Sequence, residues 1–394
     1  MTAFINLYFP YNKPDVRTEF ITSIEAVKAS TWNALTGTDQ PFLRHEFLAA
    51  IEASGSVGGN TGWLPCHAVL YDDGKLIAAL PLYRKTNSWG EFVFDFAWAE
   101  AYQQAGLNYY PKLVSAIPFT PVTGPRFLTA PGHSFAELAT TLILATRQFA
   151  AQQDISSWHV LFAEPQDREI LDRQGLLLRK DCQFHWHNRG YSTFDDYLTG
   201  LRSSKRKKLR RERRRIEESG IIFRQLCGSE LTAELWREIM PLYASSFLRR
   251  GRNPYLNEDF FTRITKCMAE HIVVILAVYH DQPIACAICF RDSNTLYGRY
   301  WGSSDRYHSL HFETCYYQGI EYCISHGLQH FEPGTQGEHK ISRGFEPTET
   351  WSAHALSQPQ FAAAVDAFID RERAYTDEYI NAVREHMPFR RDTR

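Results

Sequence analysis

Apolar runs along the chain predict two sheets whose elements follow one another in the same order. In the first half, apolar residues at 67–71 and 75–83 predict two strands, and Asp72-Asp73-Gly74 between them is typical of a hairpin turn. The elements that follow are a helix at 134–153, a strand at 158–162, a helix at 165–173 and a strand at 176–187. The second half repeats this order with strands at 272–279, 283–291 and 296–301, a helix at 310–326 and a strand at 328–331. The pattern therefore predicts an α/β protein built from two related halves.

Further helices precede the second sheet and end the chain. They are predicted at 202–219, 231–249, 258–270 and 358–386. In the last of these, the apolar residues Phe361, Val365, Phe368 and Ile369 recur at helical spacing. Because a single core stops growing at about 250–300 residues, a chain of 394 residues is expected to form two domains. We place them at 1–188 and 189–394.

The stretch between residues 86 and 127 does not follow this plan and is too long for an ordinary connecting loop. It is rich in aromatic and charged residues, and it ends in a proline-rich sequence. Long inserts with a distinct composition often carry function, so we expect this insert to line a groove for a ligand. The residues it offers for that purpose are Glu91, Asp95, Trp98, Tyr109, Tyr110, Lys112 and Arg126.

The composition is that of a folded, water-soluble protein. Hydrophobic residues make up 44% and charged residues 22% of the chain, which excludes a largely disordered polypeptide. No apolar run approaches the roughly 20 residues of a membrane-spanning helix, and the first residues lack the basic region of an export signal. Eight cysteines in such a chain are typical of reduced thiols, so we expect a cytoplasmic protein.

One predicted helix concentrates positive charge. Residues 202–215 contain ten basic residues and one acidic residue, a local charge of +9, whereas the rest of the chain carries −11. Such a run favours an anionic partner, with the phosphates of RNA or of a nucleotide-like donor as the first candidates. The segment contains no aromatic side chain, so it would contact the phosphate backbone of a nucleic acid rather than recognise its bases. Two alternatives stay open: a solvated helix face, and electrostatic contact with an anionic membrane surface.

The helix predicted at 310–326 carries the first group of candidate catalytic residues. The basic residues around its N-terminal end are Arg299, Arg306, His308 and His311. A helix N-terminus favours anionic groups. Glu313 and Tyr317 are predicted beside the apolar stripe that includes Tyr316, and a carboxylate with a phenol there could act as general base and general acid. The alternative is an ordinary amphipathic helix with a solvated polar face.

The second group lies in the glycine-containing loop at 332–345, directly after a predicted sheet strand. Ligands of α/β proteins bind at the carboxyl ends of sheet strands. In this position Glu338 or His339 would accept a proton, and Lys340 or Arg343 would hold an anion or the oxyanion of an intermediate. The alternative is a hydrophilic surface loop without a chemical role.

Metal-binding patterns are weak in this sequence. Cys286 and Cys289 have Cys-x-x-Cys spacing, but there is no second pair at zinc-finger spacing and both fall in a predicted strand. His185 and His187 share one face of another predicted strand, where two histidines are more often hydrogen-bonding groups in a cleft than ligands. We therefore expect no metal, and we include His185 among the substrate-binding candidates.

Several longer motifs resemble those of the FemAB-like family of N-acyltransferases, whose name refers to peptidoglycan biosynthesis or recognition. The motifs lie at residues 89–99, 109–113, 118–126, 183–190, 203–207, 311–318, 336–340 and 352–354. Together they span nearly the whole chain. The resemblance implies a bacterial enzyme with two GNAT-like acyltransferase domains in tandem, each a mixed sheet flanked by helices.

The resemblance also implies a reaction, in which an activated acyl or aminoacyl donor forms an amide with a primary amine, such as that of a cell-wall precursor. The co-substrate would be acyl-CoA or aminoacyl-tRNA, without a tightly bound cofactor. The chain lacks the glycine-rich coenzyme A loop of GNAT enzymes at 303–308, whereas the basic run at 202–215 would suit a tRNA contact. The alternative is a degenerate acyltransferase fold that binds RNA or a cell-wall precursor without catalysis.

The hypothesis assigns residues to two roles. A base must deprotonate the amine, and a positive or hydrogen-bonding group must stabilise the oxyanion. The candidate catalytic residues are Glu313, Glu338, His311, His339, Tyr316 and Tyr317. The candidate substrate-binding residues are Glu91, Asp95, Trp98, Tyr109, Tyr110, Lys112, Arg126, His185, Arg299, Trp301, Gln336, Lys340 and Arg343.

Overall fold

A computed structural model describes residues 3–5, 16–304, 309–335 and 337–390 of the chain. The chain folds into two compact units. Unit 1 comprises Met1–Asp181 and Glu349–Asp377, and unit 2 comprises Cys182–Thr348 and Glu378–Arg394. The division into independently folding domains at residue 188 stays a prediction.

The helices and strands follow one another along the chain as a mixed α/β arrangement. The strands are β1 (Ala3–Ile5), β2 (Val16–Ile21), β3 (Trp63–Pro65), β4 (His67–Asp72), β5 (Lys75–Leu80), β6 (Tyr83–Lys85), β7 (Lys112–Ser115), β8 (Leu128–Thr129), β9 (Ser157–Leu161), β10 (Leu177–His187), β11 (Ile222–Cys227), β12 (Ile272–Tyr279), β13 (Gln282–Arg291), β14 (Thr295–Ser303), β15 (His330–Glu332) and β16 (Glu346–Leu356). The α-helices are α1 (Ala29–Asn33), α2 (His45–Ala53), α3 (Phe96–Gln104), α4 (Phe135–Gln152), α5 (Pro165–Arg173), α6 (Phe194–Thr199), α7 (Ser203–Glu218), α8 (Ala233–Leu248), α9 (Glu258–Cys267), α10 (Leu310–Phe312), α11 (Gln318–Ser325) and α12 (Pro359–Glu385).

Unit 1 contains a five-stranded sheet in the order β1-β2-β4-β5-β8 and a second set of paired strands in the order β16-β9-β7-β6-β3. In the second set, β7 and β9 run parallel and the other pairs are antiparallel. The helix α4 is amphipathic, and its buried residues Leu138 and Leu142 belong to the same core as Leu70 and Leu80 of the first sheet and Trp158 of β9. The apolar spacing along α4 therefore accounts for its place against the sheets.

Unit 2 contains six paired strands in the order β11-β12-β13-β14-β15-β10, where only β14 and β15 among these described strands pair in parallel. Tyr316, Ile320 and Cys323 of the helical segment after β14 share a core with Val273 and Ile275 of β12. The helix α8 also packs closely against β14. A methyl carbon at Gly302 would lie 1.7 Å from the Leu242 carbonyl oxygen, so this contact requires glycine.

The predicted α/β class is confirmed, and several predicted elements have nearly the predicted bounds, among them α5 and β12. Two regions differ from the prediction. The insert at 86–127 contains the helix α3 and the strand β7, because its aromatic residues enter the core. The expected loop at 332–345 contains a 3-10 helix, Glu338–Arg343, with Lys340 and Arg343 buried.

The described residues contain neither a membrane-spanning helix nor a metal-binding cluster. Within the described parts of the chain, no helix is long and apolar enough to cross a membrane. Among the same residues, no group of three or more histidine, cysteine, aspartate or glutamate side chains is placed to hold a metal ion.

Candidate functional site

The helix predicted at 310–326 is interrupted by a π-helical turn. After α10, the residues Glu313–Tyr317 form a π-helix, and α11 continues from Gln318. A π-helical turn holds an extra residue and so changes which side chains face inward. As a result Tyr316 and Tyr317 are both buried, although they are adjacent in sequence. Glu313 and Tyr317, which the sequence places beside the apolar stripe, are buried as well.

Tyr316 holds the imidazole ring of His339. The Tyr316 hydroxyl lies 2.8 Å from His339 Nε2, and the ring also packs on Phe312 at a centroid distance of 5.5 Å. His339 is nevertheless exposed to solvent. Partial burial, together with the positive charges of Arg343 and Lys340, lowers the pKa of His339. The ring is consequently neutral near pH 7 and able to accept a proton.

A second histidine lies beside this pair. The ring of His311 is 5.8 Å from that of His339 and 5.4 Å from that of Tyr316, and Trp301 packs on its other side at 5.1 Å. Burial and the neighbouring His339 lower the pKa of His311 to about 4. The structure thus brings together His311, His339, Tyr316 and Trp301, four residues predicted from sequence.

Lys340 is buried, and its charge acts on both His311 and His339. Its Nζ donates a hydrogen bond to the carbonyl oxygen of Gly334, and its side chain has no carboxylate partner among the described residues. Burial lowers the pKa of Lys340 to about 7. An amine with that pKa is partly protonated at neutral pH, and an anionic ligand would favour its charged form.

Glu313 is enclosed by polar partners. Its Oε1 accepts hydrogen bonds from Arg213 Nε at 3.2 Å and from Gln318 Nε2 at 2.9 Å. Its Oε2 is buried and has no hydrogen-bond partner among the described residues. Burial raises the pKa of Glu313 in spite of Arg213.

Tyr317 and Arg343 take part in a different buried cluster. The Tyr317 hydroxyl donates a short hydrogen bond to Glu212 of α7 and accepts one from Arg343 Nε at 2.9 Å. Arg343 Nη2 lies 2.7 Å from the same carboxylate oxygen of Glu212, and its guanidinium stacks on the Phe312 ring at 3.6 Å. This cluster ties α7 to the 3-10 helix that carries His339.

Among the remaining candidates of unit 2, Arg299 lowers the pKa of Lys340 by its charge, and the charge of Lys340 lowers that of His185. Glu338 is exposed and accepts a hydrogen bond from the Tyr379 hydroxyl at 3.1 Å. Burial lowers the pKa of Arg299. His185 is buried, hydrogen-bonded to Gln183 at 3.2 Å, and burial lowers its pKa to about 3. Gln336, Arg306 and His308 lie outside the described residues.

Charged residues of the insert in unit 1 form a buried network, and their role in lining a ligand groove stays a prediction. Lys112 is fully buried and donates hydrogen bonds to Glu91 Oε2 at 2.8 Å, to Ser88 at 2.9 Å and to Asp95. Lys85 lies 3.8 Å from the other oxygen of Glu91. Lys112 overcomes the effect of burial and lowers the pKa of Asp95 to about 2, whereas burial raises that of Glu91 to about 7.

A chain of hydrogen bonds leads away from Asp95. The Tyr109 hydroxyl donates to Asp95 Oδ2 at 2.6 Å and lies 3.2 Å from His159 Nε2. The two histidines His159 and His354 then meet through their Nδ1 atoms at 2.6 Å, and His354 Nε2 lies 2.9 Å from the Ser352 hydroxyl. Burial lowers the pKa of both histidines, to about 3 for His159, so both rings are neutral.

Arg126, Trp98 and Tyr110, the other candidates of the insert, contact neighbouring backbone and side chains of unit 1. Arg126 is fully buried, and its guanidinium donates to the backbone carbonyls of Leu161, Gly124, Pro125 and Val122. Trp98 is buried with its ring 4.9 Å from that of His354. The Tyr110 hydroxyl contacts Ser88 at 2.8 Å.

Sequence reasoning missed several residues of these clusters. They are Lys85, His159, Glu212, Arg213, Gln318 and the role of His354. Glu212 offered a signal, because it lies between Leu209 and Ile216 at the spacing of a buried helix face. His159 offered none, since its partners come from segments about 50 and 195 residues away.

The comparison with protein families identifies the chain. A model of the FemAB-like family, described as peptidoglycan biosynthesis/recognition, matches residues 23–391. The chain therefore belongs to the FemAB-like family, as the motifs predict. No curated protein sequence matches it.

Solved structures agree on the fold. FemX aligns with a TM-score of 0.52 at 10% identity, over 86% of this chain and 98% of FemX. L-PGS from Bacillus licheniformis aligns with a TM-score of 0.50 at 13% identity, over 84% of this chain and 97% of that protein. At such low identity the similarity concerns the fold alone.

Proposed function

We propose that this protein is an N-acyltransferase that joins an activated acyl or aminoacyl group to a primary amine of a cell-wall precursor. Membership of the FemAB-like family supports the reaction class. The observation that carries the proposal is the exposed, neutral imidazole of His339, which the Tyr316 hydroxyl holds at 2.8 Å. The reaction first requires a base that deprotonates the acceptor, because a primary amine is protonated near neutral pH.

In the proposed mechanism His339 is the proton acceptor. When its Nε2–H donates to the Tyr316 oxygen, its Nδ1 holds a lone pair, and this atom takes a proton from the ammonium of the acceptor. The free amine then attacks the acyl carbonyl carbon and forms the new C–N bond. We prefer His339 to Glu313 and Glu338, because Glu313 is enclosed by Arg213 and Gln318 and Glu338 accepts a hydrogen bond from Tyr379.

The second step needs a positive group and a proton donor. Lys340 in its charged form would stabilise the oxyanion, since no described carboxylate already pairs with it. As the intermediate collapses, the bond to the leaving thiol of coenzyme A or the ribose oxygen of tRNA breaks. Protonated His339 gives its proton to the leaving group, and the imidazole, neutral again, then takes the second proton from the amide nitrogen and releases it to solvent.

The donor remains a choice between acyl-CoA and aminoacyl-tRNA. We favour aminoacyl-tRNA because α7 exposes several cationic side chains, among them Lys207, Arg211 and Arg214. Neither donor would be a tightly bound cofactor. The acceptor would be a muramyl peptide with a free amine, and no metal ion is required for the steps described.

The test combines both donor classes with one acceptor. Purified protein is incubated with acetyl-CoA or with a pool of aminoacyl-tRNAs, together with a muramyl pentapeptide that carries a free amine. Mass spectrometry should show the mass of the new amide. His339→Gln should lower kcat/KM by about 10²–10⁴-fold. The wild-type kcat/KM should rise with pH through a pKa below 6.5, because the base must be unprotonated and its pKa is lowered.

Control variants separate the candidate bases. Glu338→Gln changes an exposed carboxylate in the same 3-10 helix and should retain activity within a few fold. If Glu338→Gln or Glu313→Gln abolishes turnover and His339→Gln does not, the assignment of the base is wrong. If the protein binds the muramyl peptide or tRNA without turnover of any donor, it is a binding module instead.

A further inference from the structure

Arg343 lies in the same 3-10 helix as His339, and its guanidinium has a partner in every direction. Its Nη1 donates to the backbone carbonyl oxygen of His339 at 2.8 Å. Its Nε donates to the Tyr317 hydroxyl at 2.9 Å, and its Nη2 donates to Glu212 Oε2 at 2.7 Å. The flat face of the group stacks on the Phe312 ring at 3.6 Å. Because Arg343 is only 1% exposed, these contacts are with the protein itself.

The ring of His339 contacts the same phenylalanine. The centroid of the Phe312 ring lies 5.5 Å from that of His339 and 6.4 Å from that of Tyr316, on which Phe312 stacks. Tyr316 in turn holds His339 Nε2 at 2.8 Å. Arg343 therefore supports His339 in two places: directly at the backbone carbonyl, and at the imidazole through the Phe312 ring.

Arg343 also places a permanent charge beside the imidazole. The charged and titratable groups around the ring come from three elements. They are Arg343, Lys340 and the exposed Glu338 of the 3-10 helix, His311 of α10 and Tyr316 of the π-helical turn. His311 and Tyr316 are uncharged near pH 7, because burial lowers the pKa of His311 to about 4 and raises that of Tyr316. Burial lowers the pKa of Lys340 to about 7, whereas a guanidinium stays charged across the neutral range.

We propose that Arg343 is a positioning residue for the proposed base: it fixes the backbone and the ring of His339 and keeps a positive charge beside the imidazole. Lysine could supply the charge, but it lacks the planar fork that reaches three acceptors and stacks on a ring. Glu212 supplies the counter-charge that lets this group stay buried. The inference deepens the proposed function and rests on it for the effect on turnover, whereas the effect on His339 itself is measured without turnover.

The test follows the titration of His339 in the full-length protein without substrate. NMR spectra of histidine-labelled protein show the imidazole signals, and that of His339 is assigned by its absence in His339→Gln. Arg343→Met combined with Glu212→Gln removes both buried charges, so neither is left unpaired. The pKa of His339 should rise in this double variant, because a positive neighbour is lost.

Turnover of the double variant gives the second readout. Its kcat should fall by about tenfold or more while KM changes by less than about twofold, because the base is misplaced and no substrate contact is lost. The acidic side of the pH profile should move to higher pH, since the base must be unprotonated. Phe312→Leu keeps the ion pair of Arg343 with Glu212 and removes the shared ring, so it tests the same support with the buried charges in place. It should also lower kcat at nearly constant KM.

Two further variants separate charge from geometry. Arg343→Lys keeps the positive charge, so the pKa of His339 should stay low while kcat still falls. Arg213→Met is the matched control, because Arg213 also pairs with a carboxylate, that of Glu313, and stacks on a ring, that of Phe194 at 4.3 Å. Its charge is not among those that act on His339, so the pKa of His339 should not change.

Each outcome decides for or against the proposal. An unchanged pKa of His339 in the double variant, or wild-type kcat per folded molecule, would overturn it. A rise of KM at constant kcat would also overturn it and make Arg343 a substrate contact. If His339→Gln keeps full turnover while the pKa of His339 rises in the double variant, the assignment of the base fails and the control of His339 by Arg343 stands.

Discussion

At the scale of single residues, the position of the His339 ring depends on a glycine. Gly337 has a φ of +116°, a backbone conformation that residues with a side chain rarely adopt. A methyl carbon on Gly337 would also lie 2.3 Å from Cε1 of His339. The proposed base therefore keeps its place against Tyr316 only while residue 337 has no side chain.

Gly337→Ala should reduce turnover strongly while the protein stays folded. The methyl group would push the imidazole away from Tyr316, and the strained φ would cost about 1 kcal/mol of unfolding free energy. Gly327→Ala is the matched control in unit 2, since Gly327 has a φ of +70° but no atom within 4 Å of the built carbon. Denaturant unfolding and kcat/KM should show similar stability losses for both variants and an activity loss for Gly337→Ala alone. Equal activities would argue against His339 as the base.

The sequence could predict which residue types lie near the site but not their protonation or contacts. The loop at 332–345 indicated His339 and Lys340 as candidates because charged residues followed a strand. Burial lowers both pKa values, Arg343 and Lys340 lower that of His339 further, and Arg299 lowers that of Lys340; a sequence pattern contains none of these contacts. The π-helical turn that buries Tyr316 and Tyr317 together was equally beyond prediction, because the residues at 310–326 have an ordinary helical apolar spacing.

At the scale of elements, α7 shows how one helix combines a buried acid with a basic surface. Leu209, Glu212 and Ile216 are buried on one face of the helix. Glu212 is the only acidic residue in the run at 202–215, and its carboxylate receives hydrogen bonds from Tyr317 and Arg343. The apolar periodicity predicted α7 correctly. The net charge of the run gave no indication that Glu212 is buried and joins α7 to the 3-10 helix.

Glu212→Gln should destabilise unit 2 markedly. Removal of the negative charge leaves the Arg343 guanidinium buried without its carboxylate partner, which costs about 3 kcal/mol. Glu218→Gln on the exposed surface of the same helix should change the unfolding free energy by less than about 0.5 kcal/mol. Urea unfolding followed by circular dichroism measures both. Similar stabilities of the two variants would show that the buried cluster does not hold α7 in place.

At the scale of the whole molecule, the net charge of −2 hides an uneven distribution. The run at 202–215 carries +9, and the rest of the chain carries −11. Part of the positive charge is neutralised within unit 2, since Arg213 pairs with Glu313 and Glu321 and Arg210 pairs with Asp195. Four exposed cations of α7 have no ion pair among the described residues: Lys207, Arg211, Arg214 and Arg215.

Reversal of these four charges to glutamate should lower the salt dependence of tRNA binding. Each phosphate contact contributes about 0.7–0.9 to the slope of log K against log salt concentration, so the slope should fall in magnitude by about 3. Reversal of four exposed cations elsewhere in unit 2, Arg237, Arg250, Arg263 and Lys266, keeps the same net charge and tests for a general effect. Fluorescence anisotropy with bulk tRNA at 50–200 mM salt gives both slopes. If both sets of reversals reduce the slope equally, α7 attracts RNA only through its net charge. If neither set reduces the slope, this helix does not bind tRNA, and acyl-CoA becomes the favoured donor.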